Sequence, residues 1–274
     1  MSRVARALAR ATEQFGATSD TPRLDAEVLM AAALGIGRDK LILNSPNVAA
    51  PDVFAEMVER RRAGEPVAYI TGQRAFWTID LEVGPGALIP RPDSETLLVA
   101  AVEHFSGGPG PARILDLGTG PGTLLLAALD EWPKATGIGV DASPSALSYA
   151  QRNAERLGLA GRAALQLGDW AAGIDRTFDL ILCNPPYVAI AAETGPGVAE
   201  YEPPEALFAG ADGLDDYRRL APAIGRLIAP GGFAAVEIGH DQADSAAALF
   251  VAEGHKPGLA YDLAGRPRAL LIEG

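Results

Sequence analysis

The stretch Arg113-Ile114-Leu115-Asp116-Leu117-Gly118-Thr119-Gly120-Pro121-Gly122-Thr123, followed by the apolar run Leu124 to Leu129, decides the fold class of this chain. The first residues read as a buried strand, the glycines as a turn and the apolar run as a helix, which is how a nucleotide-binding α/β unit opens. Glycine in such a turn admits φ > 0 and lets the backbone approach a ligand where a Cβ would clash. A dinucleotide fingerprint wants the pattern G-x-G-x-x-G with a pyrophosphate over the helix N-terminus. Its third glycine would fall on Thr123, whereas the glycines here stand at 118, 120 and 122 behind Asp116. An NAD site is therefore the minor alternative.

The next strand, Thr136 to Val140, ends in Asp141, 21 positions after Gly120. An acid at that distance is placed to accept from both hydroxyls of a ribose. It also precedes a helix that Ser143 caps and Pro144 opens, and the two roles are compatible. After the strand-like Arg162 to Leu167 come Asp169 and Trp170, where an adenine amino group and ring face are expected. A tryptophan near a strand end is otherwise a core residue. Strand patterns recur at Phe178 to Cys183, Gly232 to Ile238 and Arg268 to Ile272, with helices near Leu214 to Ile228 and Asp241 to Val251. Strands alternating with helices predict an α/β fold with a doubly wound sheet. Asp116, Asp141, Asp169 and Asn184 all fall at the carboxyl ends of successive strands, the edge where open α/β sheets bind ligands.

Asn184-Pro185-Pro186-Tyr187 directly follows the Phe178 to Cys183 strand. Each proline fixes φ and removes a backbone N–H, so the tetrapeptide presents acceptors that do not rearrange. Asn184 Oδ1 and the Pro185 carbonyl suit a planar NH2 group, whose nitrogen is a poor nucleophile because its lone pair is delocalised. Acceptors on its two N–H bonds orient it and favour the positive charge of its transition state. A lone Asn-Pro is more often a turn; the full tetrapeptide at a strand end is more specific.

Asp116-x-Gly118-x-Gly120-x-Gly122 resembles the first motif of S-adenosylmethionine-dependent methyltransferases of the Rossmann-like class. Other segments narrow the resemblance: Arg61-Arg62-Ala63-Gly64-Glu65-Pro66-Val67-Ala68-Tyr69-Ile70-Thr71-Gly72, Phe76-Trp77, Leu88-Ile89-Pro90-Arg91-Pro92-Asp93-Ser94-Glu95 and Tyr201-Glu202-Pro203-x-x-Ala206-Leu207. Nearly end to end, the chain resembles the PrmC/HemK-like family, which methylates the glutamine of peptide chain release factors at N5. The resemblance implies a seven-stranded class I methyltransferase domain with one antiparallel strand. It implies S-adenosyl-L-methionine as cofactor, S-adenosyl-L-homocysteine as product and the Gly-Gly-Gln loop of a release factor as partner. The cofactor-binding residues it implies are Asp116, Gly118, Thr119, Gly120, Pro121, Gly122, Asp141, Asp169, Trp170 and Asn184. The glutamine amide would be received by Asn184, Pro185, Pro186 and Tyr187. Tyr187 is given a positional role, since a phenol with a pKa near ~10 is a poor base.

Three segments are expected: a helical substrate-recognition domain over 1–72, a β-hairpin linker over 73–90 and the methyltransferase domain over 91–274. In the first, helices are expected over Val4 to Phe15, from Thr21-Pro22 and over Val53 to Arg62. Arg91-Pro92-Asp93 reads as a rigid loop before a helix near Ser94, bordering the substrate entrance or tied up in an internal salt bridge. Pro121 stiffens the glycine loop, and Val188 to Ala199 is expected to be mobile until substrate arrives.

The 274 residues, 48% hydrophobic and 21% charged, suit an ordinary soluble protein long enough for two domains. No apolar run approaches the roughly 20 residues of a membrane span, and the early arginines lack the apolar core of a signal peptide. A single cysteine, Cys183, fits a reducing compartment. It reads as a small strand hydrophobe, and a cytoplasmic monomer is expected. His104, His240 and His255 show no zinc spacing or triad. The runner-up function is an adenine-N6 methyltransferase, because an exocyclic adenine amine offers the same planar NH2 and would be flipped into the pocket. With 23 Lys and Arg against 35 Asp and Glu, a net charge of −12 lacks the basic footprint of a nucleic-acid binder, so no stable nucleic-acid binding is expected. A noncatalytic cofactor-binding scaffold is disfavoured by the intact tetrapeptide.

Overall fold

The computed structural model describes residues 2–44 and 48–274. Met1 and residues 45–47, which fall in the expected helical domain, lie outside the described residues. The chain divides into two compact units, residues 1–73 with 193–202, and residues 74–192 with 203–274.

The first unit contains α1 (Arg3–Gln14), α2 (Pro22–Leu34), α3 (Arg38–Asn44), α4 (Asp52–Arg62) and α5 (Val67–Thr71). Ser2 Oγ caps α1 by accepting from the Ala5 N–H at 3.1 Å. The apolar residues Val4, Leu8, Ala11 and Phe15 recur every three or four positions and are buried together with Leu29, Met30, Phe54 and Val58. Arg61 fastens this unit: its guanidinium pairs with Asp25 Oδ2 at 2.8 Å and donates to the Thr18, Gly64 and Glu65 carbonyls. Residues 193–202 were expected within the methyltransferase domain, and Val188 to Ala199 as mobile until substrate arrives. They pack instead with the helices, where the Tyr201 hydroxyl donates to the Ala63 carbonyl at 3.2 Å. The nearby chain is also held, since Val188 N–H donates to the Leu207 carbonyl and Ala209 N–H to the Val188 carbonyl, both at 2.9 Å.

The hairpin of β1 (Gln73–Phe76) and β2 (Ile79–Glu82) stands at the boundary, and Arg74 onward belongs to the second unit. Its two-residue turn puts Trp77 at φ 53°, a left-handed conformation uncommon without glycine. Side chains hold the turn: Trp77 Nε1 donates to Glu131 Oε2 at 3.0 Å and Thr78 Oγ1 to Asp130 Oδ2 at 2.6 Å.

The second unit continues with α6 (Glu95–His104), β3 (Arg113–Leu117), α7 (Thr123–Glu131), β4 (Thr136–Asp141), α8 (Pro144–Arg156), β5 (Ala163–Leu167) and β6 (Phe178–Cys183). After α9 (Val198–Tyr201), a single turn within the first unit, come α10 (Asp215–Leu227), β7 (Ile228–Glu237), α11 (Ala243–Ala252), β8 (Gly258–Tyr261) and β9 (Pro267–Glu273). The seven-stranded sheet runs in the order β5-β4-β3-β6-β7-β9-β8, and β9 is antiparallel to both of its neighbours. The central strands are continuous apolar runs because helices cover a parallel sheet on both faces. Chain order reverses between β3 and β6. The loops leaving these strands part there, and the crevice at such a switch point is where ligands bind. β8, four residues at the sheet edge, has too short a pattern to have been read from the sequence.

Asn153 on α8 is fully buried and joins three segments. Its Oδ1 accepts from Glu82 N–H at 2.7 Å, and its Nδ2 donates to the carbonyls of Glu82 at 3.0 Å and Pro121 at 2.9 Å. The hairpin and the glycine loop are thus clamped to one amide. Replacing Asn153 with Ala leaves one buried and two part-buried backbone groups without this partner and is expected to cost about 1–3 kcal/mol, measured by urea unfolding. A loss under about 0.5 kcal/mol would show that water replaces the amide at no cost.

Candidate active site

β3 ends in Asp116, which is fully buried. Its Oδ2 accepts from Thr119 Oγ1 at 2.6 Å and Leu125 N–H at 3.0 Å, so one carboxylate oxygen gathers the turn and the first turn of α7. Its Oδ1 is buried without a hydrogen-bond partner. Gly118, Gly120 and Gly122 have φ values of 74°, 57° and 88°, the left-handed region in which a side chain costs about 1 kcal/mol or more. A Cβ on Gly118 would stand 3.1 Å from the Trp170 ring and 3.7 Å from the Asn184 carbonyl, whereas one on Gly120 would enter open space. Asp141 at the end of β4 holds the loop from the other side. Its Oδ2 accepts from Gly120 N–H at 2.7 Å and its Oδ1 from Ser143 N–H at 2.8 Å. Ser143 in turn caps α8 through the Ala146 N–H, so Asp141 joins loop and helix.

These residues surround a cavity of about 310 Å³, within the range of small-molecule sites. Asp116, Gly118, Thr119, Gly120, Pro121, Asp141, Trp170, Asn184 and Pro186 line it, joined by Leu88, Pro90, Arg91 and Ser94. Trp170 adopts φ 49° and its Nε1 donates to Asp216 Oδ1 at 3.1 Å, which fixes the ring as a wall. Four predicted site residues lie elsewhere. Gly122 caps the start of α7 and faces Leu126. Asp169 points to solvent and pairs with Arg219 at 2.5 Å, because Trp170, its neighbour, takes the inward position. Pro185 is buried off the cavity. Tyr187 turns away from it, donating its hydroxyl to Glu237 Oε1 at 3.1 Å. Burial and the Glu237 charge push this phenol further up, so it is not a base.

Asn184 Nδ2 donates to Ser94 Oγ at 3.1 Å, which leaves Oδ1 as the acceptor end of the amide. Ser94 and Glu237 were not predicted as site residues. In the sequence Ser94 marks only the start of a helix, and its hydroxyl makes no capping bond there. Glu237, 1% exposed, is an acid closing an apolar strand, the same signal that marked Asp116 and Asp141. Asp93 forms the internal salt bridge, with Arg268 at 2.8 Å, while Arg91 lines the cavity. Cys183 is fully buried, and desolvation pushes its thiol well up, as for a core residue. His240 is exposed. Among the described residues no His, Cys, Asp and Glu cluster is set to hold a metal.

The donor set fits a cofactor with an amine, a ribose and an aromatic base. A buried carboxylate oxygen lacks a partner, Gly120 leaves room where a Cβ would intrude, and an indole ring forms one wall. Sheet order, loop and cavity together define a methyltransferase domain of the Rossmann-like class. Residues 111–235 match the family described as a methyltransferase domain, and residues 6–72 match the PrmC N-terminal domain. A solved methyltransferase from Pyrococcus furiosus shares the fold, with a TM-score of 0.54 at 18% identity, covering 80% of this chain and 96% of that one. A release factor glutamine methyltransferase of Rhodospirillum rubrum is 44% identical, covering 92% of this chain and 79% of that protein. One of Caulobacter vibrioides is 42% identical, covering 86% and 83%. The chain belongs to the release factor glutamine methyltransferase family.

Burial pushes the Asp116 carboxyl up to about 7 from its ordinary 3.8, against the Thr119 and Leu125 hydrogen bonds and with the help of the Asp141 charge. The folded chain therefore keeps this proton longer than the unfolded chain does. This contribution to stability is full below about pH 4 and is lost as pH rises through about 7. Asp116→Asn, which does not titrate, is expected to shrink the fall in unfolding free energy between about pH 4.5 and about pH 7.5 by on the order of a few kcal/mol. Equal falls in urea titrations of both proteins would refute the buried, proton-holding state.

Proposed function

We propose that this protein transfers the methyl group of S-adenosylmethionine to the side-chain N5 of the glutamine in the Gly-Gly-Gln loop of peptide chain release factors, leaving S-adenosylhomocysteine. The observation that carries the reading is the Asn184 amide, whose NH2 end is engaged by Ser94 while its Oδ1 remains an acceptor beside the cavity. A glutamine amide brings N–H donors, and Asn184 Oδ1 supplies an acceptor for one of them at the cavity wall.

Bound in the cavity, S-adenosylmethionine supplies a methyl group on a positively charged sulfur. The loop from Gly118 to Pro121 would hold it by backbone, Asp116 by its unpartnered Oδ1, Asp141 by the lone pairs its two backbone partners leave, and Trp170 by its ring face. Holding the nucleophile and the methyl in line contributes roughly 7–11 kcal/mol in favourable cases. Acceptors aimed at the amide protons then favour the more positive transition state over the ground state.

The family membership and the net charge of −12 support a protein substrate over a nucleic acid. The fully buried lone Cys183 fits a reducing compartment. Among the described residues no helix is long and apolar enough to cross a membrane. We assign the activity to a cytoplasmic monomer.

Labelled S-adenosylmethionine, offered with a release factor, its loop Gln→Ala variant and nucleic acid in parallel, is expected to label only the loop glutamine; label on adenine would overturn the substrate. Asn184→Ala is expected to lose on the order of 100-fold or more in kcat while equilibrium dialysis shows cofactor binding within about threefold of the native chain. Near-normal turnover in that variant would sink the acceptor role.

A further inference from the structure

Two adjacent residues, Asp169 and Trp170, follow the end of β5, and only the second lines the cavity. Trp170 stands at φ 49°, in the left-handed region, where a bulky side chain crowds its own backbone. Such a conformation persists only where the surroundings over-determine it, and residues held in this way cluster at ligand sites. The contacts around Trp170 therefore decide what this wall of the cavity is made of.

Two edges of the indole are engaged. The six-membered ring lies against Gly118, so closely that a Cβ there would stand 3.1 Å from Cζ3 and 3.4 Å from Cη2. Gly118 admits the ring by having no side chain, but it offers no directional bond. The other edge carries Nε1–H, a donor with no acceptor capacity, and it donates to Asp216 Oδ1 at 3.1 Å. Asp216 stands in the first turn of α10, and its side chain is 15% exposed. With both edges held, what the ring presents to the cavity is π surface.

The same helix holds Asp169 outward. Arg219, three positions after Asp216, pairs with Asp169 at 2.5 Å and lies 3.8 Å from Asp216. The side chains of Arg219 and Asp169 are 51% and 65% exposed, and exposed pairs contribute little, so this pair does not force the choice between the two residues. The bond from Trp170 to the shielded Asp216 carboxylate is charge-assisted and the stronger of the two ties. Its effect is that a base entering the cavity meets an aromatic face where a carboxylate could have stood. Stacking of a base on such a face changes affinity by roughly 5–150-fold.

We propose that Asp216 is a positioning residue for the cofactor: by accepting from Trp170 Nε1 it holds the indole inward as the face on which the adenine of S-adenosylmethionine stacks. The inference rests on the S-adenosylmethionine reading above. Asp216 does not line the cavity and acts through Trp170. Without this acceptor the indole N–H must find water, and residue 170 relaxes toward negative φ, which turns the ring out of the wall. An acid in the first turn of a helix also favours the helix dipole. Asp215, in the same turn, shares that effect but pairs with Arg218 at 2.8 Å, so it separates the two roles.

The test compares Asp216→Leu, Asp216→Asn, Asp215→Leu, Trp170→Ala and the double variant of Asp216→Leu with Trp170→Ala, each in the full-length chain. Calorimetric titration records Kd for S-adenosylhomocysteine, and turnover of a release factor records kcat and KM for the cofactor. Trp170→Ala is expected to raise Kd by roughly 10–100-fold, the scale of a lost stack, and Asp216→Leu by roughly 5–50-fold. Asp216→Asn keeps an oxygen acceptor and is expected to bind within about threefold of the native chain, as is Asp215→Leu. In Asp216→Leu the KM for the cofactor is expected to rise with Kd while kcat at saturating cofactor stays within about threefold. Because Asp216 acts through the ring, the double variant is expected to bind within about threefold of Trp170→Ala. Native Kd in Asp216→Leu, an equal loss in Asp215→Leu, no recovery in Asp216→Asn or a multiplied loss in the double variant would overturn the role. Should Asp216→Leu melt below the titration temperature, Asp216→Ala replaces it in the single and double variants, titrated where it is folded. Failure of the native chain to bind S-adenosylhomocysteine would reject the cofactor reading itself, whereas native binding with an unaffected Asp216→Leu would reject only the positioning role.

Discussion

β3 must leave the sheet and enter α7 within five residues, and it does so with every turning amide tied to something rigid. Gly118 and Thr119 N–H both donate to the Val140 carbonyl, Gly120 N–H to Asp141, Gly122 N–H to the Thr119 carbonyl and Leu125 N–H to Asp116. Left-handed backbone at three alternate positions makes that turn possible, and only glycine takes it at little cost. The cavity exists because the loop is pinned in this shape. Trp170 can press against Gly118 only because no Cβ stands there, and the Asn184 carbonyl lies on the same side. The walls of the cavity, drawn from the ends of β3, β4, β5 and β6, meet around this one turn.

The carboxylates around the cavity illustrate how burial divides labour. Asp141 gives one oxygen to each of two backbone amides. Asp116 spends one oxygen inward and keeps the other buried without a partner, and desolvation raises its carboxyl. Glu237, also buried, is raised to about 7 by desolvation, against its hydrogen bond to Tyr187 and the charge of Arg268. A buried carboxyl without full compensation is costly to ionise, and acids shifted in this way cluster at functional sites. Asp169, by contrast, is exposed and pairs with Arg219.

What the sequence displayed follows the range of the interaction involved. The glycine loop, Asp141 with the Ser143 cap, and the strand before Asn184 are local patterns, so they were legible. Asp169 stands off the cavity because two adjacent residues after a strand compete for one inward position, and side-chain direction beside a φ of 49° at Trp170 is not a sequence property. Ser94 and Glu237 were missed because they reach Asn184 and Tyr187 across 90 and 50 residues. The clamp by Asn153 spans 71 residues to Glu82 and is equally silent in a single sequence. Val188 to Ala199 read as a mobile segment, since glycine and alanine give no sign of the packing partner they will find.

Of the groups in and behind the tetrapeptide, Tyr187, Cys183 and Glu237 are not placed to take a proton from a substrate amide. Tyr187 donates its proton to Glu237 and is pushed further from ionisation by burial. Cys183 is sealed within the core, and its thiol is raised by desolvation. Glu237 lies behind Ser94 and Tyr187 and does not line the cavity. For the proposed chemistry this is consistent. An amide nitrogen is too weak an acid to be deprotonated at neutral pH, but once alkylated it carries positive charge and its proton becomes very acidic. Water or an oriented carbonyl then suffices as acceptor. The slow part is bringing a delocalised lone pair into line with the methyl group, and that problem is solved by direction and distance. A site for this task should hold its acceptors still and keep its acids occupied elsewhere. Here the two prolines and the Ser94 contact to Asn184 hold the acceptors still.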